Sequence, residues 1–363
     1  MKIIIVCNAF KNTFKSQEIN EVLRDLLRKK HPDFAISTYT ISDGGNGFLD
    51  SIKSYGYDYQ ECFINVIGSY KGKIIKAPYI VIDNTVYIES ALICGLEGLD
   101  NPNPKETTTY GLGEMIKDAL DKGYRNFKIG LGGSATNDMG IGMMSALGVR
   151  YLSHGTIIDK PTGGDMISID KIDESHLDKR IKECKLEILS DVNNPLLGKS
   201  GATYTFAPQK GADEEDIKYL EKGMENIVSL IKYEDKYPGG GAAGGLGAGL
   251  IHYFHGKIVS GIKEIIKISN LEKDLKDADL FITGEGKIDR TSFSGKAISR
   301  LYETANKYNV ETLFICGQLE KGIILEHYLI VGKEYKSLED MKNNAKKDLI
   351  DRFSKYIGLE KAK

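Results

Sequence analysis

The stretch KIIIVCNAFKNTFKSQEINEVLRDLLRKKHPDFAISTYTI (residues 2–41) decides the fold. Residues 2–7 form an uninterrupted β-branched run, as a strand buried on both faces requires. Residues 16–30 place Ile19, Val22, Leu23, Leu26 and Leu27 on one helical stripe, with Ser16 expected as the N-cap. A second β-rich run, AISTYTI, follows over 35–41. Strand, helix and strand in this order make a βαβ opening, which calls for a parallel sheet covered by helices.

The next residues, SDGGNGF (42–48), surround one carboxylate, Asp43, with Gly44, Gly45 and Gly47. A plain turn needs one or two glycines, so a third implies that something approaches the backbone closely. The loop is expected at the carboxyl end of the second strand, where open α/β sheets bind ligands.

Farther along, 57–90 reads as antiparallel hairpins joined by short turns such as Asp83-Asn84. A helix is expected over 111–122, leading into the strand and glycine-rich turn of NFKIGLGGSATND (126–138). ADLFITGEGKID (278–289) and VETLFICG (310–317) read as buried parallel strands separated by a helix at 295–308. The pattern describes an α/β protein of two domains. A discontinuous Rossmann-like domain with a parallel sheet spans 1–65 and 280–363, and an inserted mixed α/β domain spans 66–279.

Composition excludes several classes of function. Of the 363 residues 41% are hydrophobic and 28% charged, an ordinary balance for a globular protein. The 49 basic and 51 acidic residues leave a net charge of −2, so no global field draws in nucleic acid or an anionic membrane. The opening MKIIIVCNAF has too short an apolar core for a signal peptide. Cys7, Cys62, Cys94, Cys184 and Cys316 are odd in number and scattered, which suits a reducing cytoplasm better than disulfides or a zinc site.

Five small-residue stretches carry the candidate chemistry. GLGGSATND (130–138) fits G-x-G-x-x-[GA], but no acidic residue follows at the distance a dinucleotide site needs, so hydride chemistry loses ground. Its polar tail, Ser134, Thr136, Asn137 and Asp138, suits a phosphate or carboxylate at a helix start, the ordinary alternative being an N-cap. PGGGAAGGLGAGL (238–250) has Ala and Leu between its glycines, which points to close packing rather than a flexible linker. ITGEGKIDRTSFSGKA (282–297) is not a Walker A loop, yet it gathers Glu285, Lys287, Asp289 and Lys296 just past an expected strand end. LSDVNNPLLG (189–198) sets Asp191 directly after a strand, and FAPQKGAD (206–213) adds Gln209 and Lys210. Glycine, Asp, Asn and Lys without a catalytic His or Cys suit phosphoryl transfer, which depends on positioning and charge neutralisation.

Taken together with KETTTYGLGEMI (105–116), these motifs occur in the order typical of the glycerate kinase family, and over residues 1–317 the chain resembles that family. The resemblance implies an ATP- and Mg²⁺-dependent kinase that phosphorylates D-glycerate to phosphoglycerate at the 2-position, with two α/β domains flanking a cleft. It carries over to Lys11, Asp43, Gly44, Gly45, Gly132, Gly133, Ser134, Asn137, Asp138, Asp191, Asn194, Pro195, Gln209, Lys210, Glu285, Asp289 and Lys296, which match the motifs by residue type. In this reading Asp191, and after it Asp43, accepts the hydroxyl proton. Lys11, Lys210 and Lys296 neutralise phosphate or carboxylate, Ser134 and Asn137 donate hydrogen bonds, and Glu285 and Asp289 hold Mg²⁺. Two positions depart from the pattern, since Asn8 and Asn46 stand where the family has carboxylates. The alternatives are a kinase for another small sugar acid and a ligand-binding paralogue without catalysis. The partners expected are glycerate and a nucleotide, with neither nucleic acid nor membrane, in a monomer or homodimer.

Overall fold

The computed structural model describes residues 1–10, 13–293 and 297–358. The chain begins with β1 (Lys2–Cys7), a helix over Ser16–Lys30 and β2 (Ala35–Thr38). It then runs through β3 (Gln60–Ile67), β4 (Ile74–Ile82), β5 (Thr85–Glu89), β6 (Asn126–Gly130), β7 (Arg150–Ser153), β8 (Thr156–Ile157), β9 (Lys171–Asp173), β10 (Lys185–Leu189) and β11 (Lys257–Val259). It finishes with β12 (Leu280–Ile288), β13 (Glu311–Leu319) and β14 (Tyr328–Ile330). Two compact units result: residues 1–42, 50–56 and 262–363 form one, and 43–49 and 57–261 form the other.

The first unit holds a five-stranded sheet in the order β14-β13-β12-β1-β2, every pair parallel. In chain order within the unit this is 2-1-3-4-5, the doubly wound arrangement whose topological switch lies between the first and third strands, here β1 and β12. The helix over Ser16–Lys30 buries Ile19, Leu23 and Leu27 on the stripe expected from sequence. These join Ile3, Ile5, Ile282, Leu313, Leu349 and Phe353 in one core. Each such buried Leu or Ile side chain stabilises by about 1.5–3 kcal/mol.

Ser16 differs from expectation. Lys15 is the N-cap, and the Ser16 hydroxyl instead donates to the Cys7 carbonyl at 2.6 Å and accepts from the Ile41 N–H at 3.1 Å. Ser16 thus ties the end of β1 to the segment after β2, and β2 ends at Thr38 rather than residue 41.

The second unit is built on a mixed sheet ordered β11-β10-β6-β5-β4-β3. Strands β11, β10, β6 and β5 are parallel, and the expected hairpins add β4 and β3 antiparallel. Its core includes Tyr79, Val86, Ile88, Phe127, Ile129, Met143, Ile188 and Leu246. Strands β7, β8 and β9 form a small separate antiparallel sheet.

The unit boundaries fall differently from those drawn on sequence. Strand β3 pairs with β4 along Gln60–Ile67 and so goes whole with the second unit, whereas residues 262–279 go with the first. The segment Asp43–Leu49 also packs in the second unit, although the chain enters it directly from the end of the first βαβ.

Candidate functional site

The Asp43–Leu49 loop is pinned to the carboxyl ends of the second unit's parallel strands. Glu89, the last residue of β5 and only 3% exposed, accepts the Gly47 N–H and the Leu49 N–H, each at 3.0 Å. Phe48 is fully buried against Tyr87, with ring centroids 6.4 Å apart. Gly44 has φ +99°, and a Cβ there would lie 2.6 Å from the Leu189 carbonyl oxygen at the end of β10. A Cβ on Gly132 would stand 2.7 Å from the Gly45 Cα. Gly44 and the Gly45–Gly132 pair thus bring one backbone against another, a close approach that side chains would block, whereas Gly47 has open space around it and is set by its φ of +82°.

Asp43 and Asp191 meet the same short segment. The Asp43 carbonyl oxygen lies where a Cβ on Gly261 would be 1.9 Å away, while the neighbouring Ser260 hydroxyl donates to Asp191 Oδ1 at 2.6 Å. Asp43 Oδ1 accepts the Gly45 N–H at 3.1 Å and the Asp43 side chain is exposed. Asp191 follows Ser190, whose N–H bonds the Val259 carbonyl and so continues the pairing of β10 with β11.

The glycine loop after β6 is stitched down by its own backbone. The Gly133 carbonyl accepts the Leu96 N–H at 2.8 Å, and the Ala135 N–H donates to the Cys94 carbonyl at 2.8 Å. The helix that follows begins only at Ile141 and is six residues long, so Ser134 does not stand at a helix start as expected. Asp138, fully buried, instead holds the turn: its carboxylate accepts the Thr109 N–H and hydroxyl, each at 2.8 Å, and the Gly140 N–H at 3.1 Å. Burial pushes its pKa up while those donors pull it back.

Lys210 ends a single 3₁₀ turn over Pro208–Lys210 and is 2% exposed. Its ammonium donates to Ser134 Oγ at 3.1 Å and to the Thr136 carbonyl at 2.6 Å. Burial lowers its pKa to about 8, with Cys94 and Asp138 working in the opposite direction. Asn137 is also fully buried and donates its amide to Thr203 Oγ1 at 3.2 Å. The Asn194 amide donates to the Ser200 carbonyl at 2.7 Å and so shapes the loop after Asp191. The second glycine-rich run packs closely as expected: the Gly241 N–H donates to the Asn194 carbonyl at 3.0 Å, and a Cβ on Gly244 would stand 2.0 Å from the Thr136 carbonyl oxygen.

The second unit therefore gathers Asp43, Gly44, Gly45, Gly132, Gly133, Ser134, Asn137, Asp138, Asp191, Asn194 and Lys210 around one set of strand ends. Glu285 and Asp289 belong to the first unit, and Lys11 and Lys296 lie outside the described residues. Glu285 and Lys287 sit inside β12 rather than past its end, because the strand continues to Ile288. Glu285 is the first residue of β12 beyond the Cys7–Gly284 pair, and the Asn8 N–H donates to the Gly284 carbonyl at 2.8 Å. Both therefore stand at the β1/β12 switch point. Asp289 Oδ1 accepts from the Thr291 N–H and hydroxyl at 2.9 and 2.6 Å, contacts that hold its pKa below the usual carboxylate range.

Sequence reading missed Glu89 and Ser260, each a lone polar residue with no motif around it, and Thr109, which lies inside KETTTYGLGEMI but was given no role. The signal for Glu89 was faint: a single carboxylate closing the strand-like run TVYIE.

A doubly wound parallel sheet with Asn8 and Glu285 at its switch point, joined in one chain to glycine-laced loops bearing two carboxylates, is the architecture of an α/β phosphotransferase. The family model for the glycerate kinase family matches residues 3–357, and the chain belongs to that family. The match continues well beyond residue 317, where the sequence resemblance had been expected to stop. The chain is 37% identical to the glycerate kinase of Bacillus cereus and 35% identical to the glycerate 2-kinase of Escherichia coli, each alignment covering 90% of this chain and 88% of the relative. A solved structure assigned as glycerate kinase 2 from Salmonella typhimurium LT2 superposes with a TM-score of 0.81 at 34% identity, covering 99% of this chain and 98% of that one. Among the described residues no helix is long and apolar enough to cross a membrane.

Proposed function

We propose that this kinase transfers the γ-phosphoryl group of ATP to the 2-hydroxyl of D-glycerate in the cytoplasm. The observation that supports the reading is the meeting of the Asp43 backbone and the Asp191 carboxylate at Ser260-Gly261, beside the glycine loop of Ser134. In this reading Asp191 accepts the proton of the attacking hydroxyl, and the Ser260 hydroxyl fixes the rotamer of its carboxylate. Asp43, exposed and braced by the Gly45 N–H, is the second carboxylate at the site. The Ser134 hydroxyl donates to the anionic end of the acceptor.

Bound Mg²⁺ neutralises charge on the transferring phosphoryl group. Among the described residues no group of three His, Cys, Asp or Glu side chains forms a metal cluster. Glu285 and Asp289 lie four residues apart on mostly extended backbone, about 13 Å, and do not share one ion. The donor set fits a Mg²⁺ carried by nucleotide phosphates and touched by one carboxylate, the usual pattern for this ion. Glu285 at the switch point is the residue proposed for that contact.

A coupled assay of ADP release over a panel of small hydroxy acids tests the function. Turnover of glycerate with ATP and Mg²⁺, with 2-phosphoglycerate as product, is the expected result. Turnover confined to another sugar acid overturns the acceptor, and nucleotide binding without turnover of any acid overturns the kinase reading.

A further inference from the structure

A hydroxyl group offers one donor and two acceptor positions. At Ser134 the Lys210 ammonium takes one acceptor position, at 3.1 Å. No donor bond from the Ser134 hydroxyl occurs among the described residues, so its proton remains to be given. The same ammonium holds the Thr136 carbonyl at 2.6 Å, which fixes the backbone on the far side of Ala135. Lys210 is 2% exposed and Ser134 4%, so the contact between them is made away from solvent. Asp138, which closes the other end of the same loop, lies near enough to act on the lysine electrostatically.

We propose that Lys210 is a positioning residue: by occupying an acceptor position of Ser134 Oγ and anchoring Thr136, it makes the Ser134 hydroxyl an obligate donor to a carboxylate or phosphoryl oxygen. The ammonium acts through the loop and does not itself touch the ligand. The proposal rests on the kinase reading for the identity of that ligand, glycerate, and adds the group that orients its binding loop. It also accounts for a lysine being buried where an uncharged side chain would avoid desolvation.

The test compares Ser134→Ala, Lys210→Met and the double variant by steady-state kinetics with glycerate, with thermal melting to confirm folding. Each single change is expected to raise KM by about 10–100-fold, the worth of a hydrogen bond to a charged group. The double variant is expected to be no worse than about threefold beyond the poorer single one, because both changes remove the same contact. A folded Lys210→Met protein with unchanged KM overturns the proposal, as does a double variant whose losses multiply. If Lys210→Met melts below the assay temperature, Lys210→Arg takes its place. A retained N–H donor must then keep KM within about threefold of wild type, and a folded Lys210→Arg protein with a larger rise overturns the proposal. Should the chain turn over no hydroxy acid, the kinase reading fails on its own, and the same comparisons are made on thermal stabilisation by glycerate. No loss of that stabilisation in Ser134→Ala and Lys210→Met would then overturn the proposal.

Discussion

The Ser260 hydroxyl donates to Asp191 Oδ1 at 2.6 Å, one residue from the glycine that accommodates the Asp43 backbone. Removing the carboxylate's basicity while keeping its shape isolates its role. Asp191→Asn is expected to lower kcat by about 10²–10⁴-fold with little change in KM, the usual contribution of a positioned base. Ser260→Ala, which leaves the carboxylate but frees its rotamer, is expected to lower kcat far less. Equal turnover by Asp191→Asn and wild type in the coupled assay would remove Asp191 as the base.

Glu89 holds the Asp43 loop by two backbone N–H groups from a buried position. Glu89→Ala leaves both donors without their carboxylate. The expected loss of stability is about 2–4 kcal/mol, since each buried unsatisfied group costs about 1–3 kcal/mol. Glu89→Gln, which keeps one acceptor, is expected to fall between the two. Urea unfolding midpoints check the order, and an Ala variant as stable as wild type would show that the loop is held by other contacts.

The fold was legible where the physics is local. Strand β1, the helix after it and the hairpins of β3–β5 follow from β-branched runs, a 3.6-residue stripe and short turns, none of which depends on distant residues. Ser16 misled because a serine at a helix start has two possible uses, and a carbonyl nine residues back outcompeted the helix end. Asp43 and Ser134 stand out in sequence because glycine-rich stretches mark them, and Asp191 because an Asn-Asn-Pro run follows it at a strand end. Glu89 does not, since its importance lies in a loop forty residues earlier returning to its strand. The apparent helix start at Ser134 failed for a related reason: the turn is completed by Thr109, which no local pattern links to Asp138.

Asn46 donates its amide to Glu97 at 2.9 Å, both side chains being exposed. The resemblance to the family places a carboxylate at this position, and Asn46→Glu restores it next to Glu97. Two facing carboxylates raise each other's pKa, so the penalty is present where both are ionised and disappears as pH falls and one takes a proton. The variant is expected to be less stable than wild type by up to about 1 kcal/mol at pH 8, and to match it near pH 4. Thermal melting at the two pH values checks this, and a deficit independent of pH would exclude repulsion with Glu97 as its cause.

Lys210 gives the fold a pH dependence of unusual sign. Its pKa is lowered to about 8 by burial, against an unfolded lysine near 10.4. Below about pH 8 both states hold the proton and the full desolvation penalty is present. Between about 8 and 10.4 the unfolded chain binds a proton that the folded one lacks, so this group's contribution makes the protein more stable as pH rises. Cys94, the neighbouring thiol, is pushed up to about 12 and stays protonated through the window. Lys210→Met lacks the titration but shares every other one, so the difference between the two proteins isolates the lysine. Urea unfolding at pH 7.5, 8.5 and 9.5 is expected to show the stability of wild type rising relative to the variant at each step. A constant difference across the window would mean that the buried ammonium keeps its ordinary pKa, and that Ser134, Thr136 and Asp138 together compensate its burial in full.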